Sequence, residues 1–232
     1  MKHILMVLTS HSAMENTDRT TGVWLGEFTD PYYEFIDAGY EVTLASPLGG
    51  KPPVDPLSVL TENITASNRR FNGDNYAQSA FGATRLLNTI DAKDFDAVFY
   101  PGGHGPLWDL ADNEYNGRLI LEFIKSRKPV GAVCHGPAAL IKAAELAPGL
   151  LSRTRITAFT NTEETLTLRA DNIPYHLETR LKKLGADFKS AVLPFTSHVE
   201  TDGLFVTGQN PLSAGPTAHA LIELLKKGTI RD

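Results

Sequence analysis

Cysteine is nearly absent from this chain. Of 232 residues only Cys134 carries a thiol, which excludes an intramolecular disulfide and a cysteine-rich zinc site. A lone thiol with no secretion signal suits a reducing compartment, so a cytoplasmic location is expected. Long apolar runs are missing as well. The apolar stretch at residues 4–8 is shorter than the roughly 7–15 residues of a signal-peptide core. No stretch approaches the roughly 20 apolar residues that span a membrane. Nor is there an excess of cations: 22 Lys and Arg against 27 Asp and Glu leave a net charge of -5. That balance argues against nucleic-acid binding and offers anionic membranes no basic face. Repeats and linkers are absent too. With 42% hydrophobic and 21% charged residues, the chain can bury a core rather than stay disordered. The expectation is one α/β domain over residues 1–232.

What is present alternates between strand and helix signals. Residues 4–8 read as a strand buried on both faces. Asp30-Pro31 reads as a helix start, with Tyr32, Phe35 and Ile36 at helical spacing and Gly39 as the stop. Further strands are expected at 41–46, 96–100, 130–133 and 156–159, and further helices at 76–90, 116–126, 137–144, 175–184 and 211–227. In the 76–90 helix, Phe81, Leu86 and Leu87 are the candidate core contacts. A hairpin at 198–207 turns at Asp202-Gly203. Residues 46–58 hold Pro47, Pro52, Pro53 and Pro56 with Gly49 and Gly50, and should be an ordered irregular excursion. Alternation of this kind implies a doubly wound, mainly parallel sheet with helices on both faces. In such sheets function gathers in loops at the carboxyl ends of strands, here at Thr9, 101–105, 134–135 and 160–164.

The sharpest signal is Val130-Gly131-Ala132-Val133-Cys134-His135-Gly136-Pro137. A buried strand runs directly into a helix, and Cys134 sits on the corner, as in a nucleophile elbow. A helix N-terminus favours negative charge, so a thiolate should form more easily there. An ordinary lone cysteine is buried and inert; the elbow and the adjacent His135 tip the reading toward a reactive one. Of the seven histidines, His3, His11, His176 and His219 suggest no role. Trp24 and Trp108 read as packing residues. The Gly102-Gly103-His104-Gly105 loop lacks the dinucleotide spacing. The amides of Gly103 and His135 are candidates for an oxyanion site, and His104 for a side chain closing the pocket from above. No convincing metal site is legible.

At these residues the chain resembles the ThiJ/PfpI family of the class I glutamine amidotransferase-like superfamily. The Ala132-Val133-Cys134-His135-Gly136-Pro137 elbow resembles its nucleophile motif. Three segments resemble its larger-chain branch: Gly22-Val23-Trp24-Leu25-Gly26-Glu27, residues 46–56, and Phe159-Thr160-Asn161-Thr162-Glu163-Glu164. The closing segment at 202–211 matches as well. The resemblance implies a flavodoxin-like core, a homodimer and no organic cofactor. It places Glu27 beside Cys134 and an acidic triad member in the last segment. Glu163 and Glu164 are adjacent; alignment of the motif favours Glu164, with Glu163 as a helix-start charge after an Asn161 cap. A carboxyl set among Val23, Trp24, Leu25 and Phe28 can have a raised pKa and hold a proton.

The activity implied is a glutathione-independent glyoxalase acting on small 2-oxoaldehydes such as methylglyoxal through a cysteine hemithioacetal. A small closed pocket, walled by residues 46–58, would exclude water and long peptides. The alternatives are a holdase chaperone or oxidation-sensing cysteine and an amidase, which would need a synthase partner.

Overall fold

The computed structural model describes residues 1–228. Strand β1 (His3–Val7) occupies the middle of the sheet. Its side chains alternate between two cores: Leu5 and Val7 face one, Ile4 and Met6 the other. That alternation explains the unbroken apolar run, because both faces of the strand are covered. On one side of β1 lie β2 (Glu41–Ser46) and the edge strand β3 (Arg85–Leu86); on the other lie β4 (Ala97–Tyr100), β5 (Val130–Val133), β9 (Phe205–Gly208) and β8 (Val199–Asp202). All pairs in this sheet are parallel except the hairpin β8–β9. The order reverses between β1 and β4, the switch point at which a doubly wound sheet opens a crevice. The expected flavodoxin-like, doubly wound architecture is therefore present.

The helices cover both faces. α1 (Leu25–Asp37), α2 (Ala66–Gly73), α3 (Asn75–Gly82) and α9 (Ala214–Lys226) enclose the core that contains Phe28, Phe35, Phe99 and Leu221. α5 (Glu114–Lys125), α6 (Leu140–Leu146) and α8 (Leu177–Lys183) enclose the other, around Phe123, Leu140 and Leu181. Each such fully buried side chain contributes about 1.5–3 kcal/mol of transfer free energy. The short helices α4 (Pro106–Asp109) and α7 (Asn161–Leu166) come after the 101–105 loop and the 156–160 segment. No described helix is long and apolar enough to cross a membrane.

Several expectations need correcting. α1 begins at Leu25, and Pro31 lies inside it. Asp30 does not cap its own helix; it accepts from Thr65 Oγ1 at 3.0 Å, at the start of α2. The helix expected over 76–90 stops at Gly82, and Thr84 leaves it to pair with Gly50. Leu86 is consequently 39% exposed, whereas Phe81 and Leu87 are buried as expected. The strand expected at 156–159 shrinks to β6 (Arg155–Ile156), which pairs with β7 (Asp187–Phe188) outside the main sheet. The cap of α7 is Thr160, not Asn161. The 46–58 excursion is ordered, with a bridge from Val54 to Val23 and a single-turn 3-10 helix at Pro56–Val59.

Candidate active site

Cys134 leaves the end of β5 in the left-handed conformation, at φ 60°. For a residue other than glycine this costs roughly 1–2 kcal/mol. The corner is pinned on both sides: the Cys134 amide donates to Gly208 at 2.9 Å, and the Phe159 amide donates to the Cys134 carbonyl at 2.9 Å. Gly136 is required two residues on, since a Cβ there would lie 2.1 Å from the Tyr100 carbonyl oxygen. Cys134 is 4% exposed. Past the corner the chain makes a 3-10 turn at Gly136–Ala139 before α6 begins. Burial, then the neighbouring Glu27, then Glu163 and Glu164 push the thiol well above its ordinary pKa. This reverses the expectation that the elbow alone eases ionisation; desolvation outweighs the turn's weak dipole.

Glu27, in the first turn of α1, is fully buried against the thiol. Gly102 makes room for it, because a Cβ at that position would lie 2.3 Å from Glu27 Oε2. The Cys134 thiol and the Gly102 amide are its nearest polar groups and partly stabilise its anion, but neither completes a hydrogen bond of good geometry. Burial pushes the carboxyl up to about 8, so it holds its proton at neutral pH. Glu27 raises the thiol's cost of ionisation, whereas the protonated thiol eases that of Glu27, so the two titrate as a pair in which the thiol is the harder to ionise.

On the other side of the thiol, Cys134 Sγ lies 3.4 Å from His135 Nδ1. His135 Nε2 lies 2.6 Å from Glu164 Oε2. Of the two adjacent glutamates it is Glu164 that meets the imidazole. Burial alone would raise the Glu164 pKa, but His135 and His104 hold it well below the usual carboxylate range. His104 binds the second carboxylate oxygen, with Nε2 2.7 Å from Glu164 Oε1. Burial, reinforced by the neighbouring His135, lowers the His104 pKa to about 4. Arg169 Nη1 approaches His104 Nδ1 at 3.3 Å, and an arginine can only donate. His104 is therefore neutral, accepts at Nδ1 and donates from Nε2 to Glu164.

Behind His104 stands a support that the sequence did not reveal. Arg169 pairs with Asp55 at 2.7 Å, with side chains 5% and 0% exposed. Asp55 also accepts from Thr21 Oγ1 at 2.9 Å, and Thr21 Oγ1 in turn accepts from the His104 amide at 3.3 Å. Arg169 and Asp55 are 114 positions apart, so no local pattern links them. The only signal was an aspartate embedded among prolines in the 46–58 excursion.

His104, His135 and Glu164 are the one group of three potential metal ligands that converge among the described residues. Both histidine Nε2 atoms are engaged with the carboxylate at 2.6 and 2.7 Å, which is hydrogen-bond rather than bridged-cation spacing. The set fits a proton-handling cluster better than a metal centre.

A cavity of about 280 Å³ opens above the thiol. Glu27, Gly103, His104, Cys134 and His135 all border it. Its apolar wall includes Trp24, Phe159, Phe195 and Leu212, none of which was expected there. Residues 46–58 supply Leu57 alone to the lining, so the small closed pocket expected from that excursion is not what forms. The mouth is partly open, and the 195–212 region builds much of the wall.

Comparison with known proteins places the chain in a family. The chain is 31% identical to the glutathione-independent glyoxalase hsp3101 of Schizosaccharomyces pombe, over 95% of each chain. The crystal structure of glyoxalase III from Candida albicans is 28% identical and superposes with a TM-score of 0.85 over 96% of each chain. The Rapid Encystment Protein 24 kDa of Francisella tularensis is 35% identical, with a TM-score of 0.92 over 97% of this chain and 99% of that one. The model of the DJ-1/PfpI family matches residues 20–224. On these matches, over nearly the whole chain and around one cysteine elbow, the protein belongs to the DJ-1/PfpI family.

Proposed function

We propose that this protein is a glutathione-independent glyoxalase, a single α/β domain that converts 2-oxoaldehydes such as methylglyoxal into 2-hydroxy acids. The observation that carries the reading is the thiol set between two proton carriers: His135 Nδ1 at 3.4 Å on one side and a buried, protonated Glu27 on the other. His135 takes the thiol proton while Glu164 holds the imidazole in place. The thiolate adds to the aldehyde carbon, and the amides of Gly103 and His135 receive the new oxyanion. Proton transfer to that oxygen completes a hemithioacetal. Glu27, once it has given up its proton, removes the hydrogen from the carbon bearing sulfur. The C–H electron pair forms a carbon–carbon double bond, and the neighbouring carbonyl oxygen is protonated, giving an enediol. Return of the proton from Glu27 to the second carbon, with the hydroxyl on the sulfur-bearing carbon giving up its proton to His135, leaves a thioester of the 2-hydroxy acid. Water then replaces sulfur at the acyl carbon and restores the thiol. One carbon is oxidised and its neighbour reduced by the same two electrons, so only water is consumed.

The test is turnover of methylglyoxal by purified protein without glutathione, followed as aldehyde lost and lactate formed. Wild type should turn over, and Cys134→Ser should fall by about 10⁴-fold or more, the scale of losing a nucleophile that acts with its base as a unit. Cys134-dependent peptide cleavage with no oxoaldehyde turnover would overturn the reading. Homodimerisation and a cytoplasmic location belong to the same proposal through the family resemblance; native mass spectrometry tests the first and cell fractionation the second. A holdase role is favoured by one observation, the exposure of Val192, Leu193 and Leu212 at 98, 65 and 66%. Suppression of client aggregation that survives Cys134→Ala would identify it as a separate activity.

A further inference from the structure

We infer that Phe195 selects 2-oxoaldehydes with a bulky apolar substituent over glyoxal, and that Glu163 is the positioning residue that holds Phe195 in the cavity wall. The inference rests on the glyoxalase reading and names the substrate class of that site.

The cavity volume of about 280 Å³ equals that of about nine water molecules at about 30 Å³ each. Glyoxal has four heavy atoms and would leave much of it empty. The lining is mostly apolar, with Trp24, Phe159, Phe195 and Leu212, and carries the neutral polar residues Asn63, Thr167 and Asn210; its one arginine, Arg169, is already paired with Asp55. Such a wall favours an uncharged apolar group and gives a carboxylate no unpaired cation. Phe159 joins this wall to the reacting end, with its ring centroid 4.6 Å from that of His135 and 6.2 Å from that of Phe195.

Phe195 is held there against its own preference. Its φ is 59°, in the left-handed region, and it lies in a segment without regular structure between β7 and β8. One bond fixes it: its amide donates to Glu163 Oε1 at 2.8 Å. The same oxygen accepts from Gln209 Nε2 and Asn210 Nδ2, each at 2.9 Å. Glu163 Oε2 accepts from the Thr160 amide at 3.0 Å and the Thr160 hydroxyl at 2.9 Å. Glu163 is thus a buried junction that ties α7, the end of β9 and the Phe195 segment together, one residue from the triad carboxylate.

The experiment compares kcat/KM for phenylglyoxal and glyoxal. Wild type should favour phenylglyoxal by about tenfold or more, the scale of filling an apolar pocket. Phe195→Ala should reduce that ratio by about tenfold, and Phe195→Leu should fall between. Because Phe195 is 38% exposed, these changes leave the core intact. Glu163→Gln should lower the same ratio by raising KM for phenylglyoxal more than it lowers kcat. A ratio unmoved in Phe195→Ala overturns the inference. Binding is also read without turnover, as protection of Cys134 from iodoacetamide by acetophenone relative to acetone. Wild type that turns over no 2-oxoaldehyde overturns the glyoxalase reading, whereas equal protection in wild type and Phe195→Ala overturns this one.

Discussion

Glu27 and Glu163 are both fully buried, and their surroundings are opposite. Glu163 accepts five hydrogen bonds from Thr160, Phe195, Gln209 and Asn210. Glu27 completes none, and burial pushes it up to about 8. Burial by itself therefore does not decide what a carboxyl does. Donors make one glutamate a fixed junction, and their absence leaves the other holding a proton that it can release. A saturated carboxylate resists movement; a starved one beside a thiol is suited to proton transfer.

The contrast can be broken first at Glu27. Glu27→Gln should cost about 100-fold or more in kcat, the usual scale for a positioned acid–base group. It should also change how stability depends on pH. The folded pKa of Glu27 is raised from 4.5 to about 8, so its favourable contribution is fully present below about pH 4.5 and is lost as pH rises toward 8. Over that window the stability of wild type relative to Glu27→Gln should fall by about 1.4 kcal/mol per pH unit. Urea unfolding of both proteins measures it, and taking the difference removes the opposite slope contributed by His104, whose pKa is lowered from 6.5 to about 4. A flat difference would show that Glu27 is not the proton holder.

A second test falls on the support behind His104. Arg169→Met strands the buried Asp55 and should destabilise by about 3 kcal/mol. His104 also loses the donor at Nδ1 that fixes its tautomer, so kcat should drop by about tenfold, less than for Glu27→Gln. Adding Asp55→Asn should recover stability without recovering kcat. Joint recovery would reduce Arg169 to a packing role. The smallest effect is expected at Glu163, where Gln replaces one oxygen with a donor among donors. A cost of about 1–3 kcal/mol in denaturant unfolding, with Cys134 alkylation little changed, would place its role in the wall around Phe195 rather than at the thiol.

Much of this site was legible in the sequence because it is local. The apolar run into Cys134-His135-Gly136-Pro137 announces a buried strand and a corner, and a strand covered on both faces delivers it. Gly102 and Gly103 mark the loop that lies against Glu27 and Trp24. What could not be read is held by distant contacts. α1 has no side-chain cap, and its start is set by the Trp24 amide donating to Gly102 at 3.1 Å. Asp30-Pro31 looked like the start because the true one carries no local sign. The apolar spacing past Gly82 suggested more helix, but Thr84 is drawn off by Gly50 and by Ser46, whose hydroxyl lies 2.7 Å from that of Thr84. Arg169, Asp55 and Phe195 reach the site only through tertiary packing, and no periodicity could have assigned them to it.

The backbone of Cys134 has a consequence for the history of such chains. At φ 60° the position suits glycine better than any residue with a side chain, so the thiol is kept at a standing cost of about 1–2 kcal/mol. A duplicated copy released from its chemistry would gain stability by drifting to glycine there while every other part of the elbow stayed in place. On the proposed mechanism, selection against that drift comes from the reaction itself. On that mechanism a cysteine at this corner is a record of the chemistry, and a glycine at the same corner would mark a descendant that has given it up.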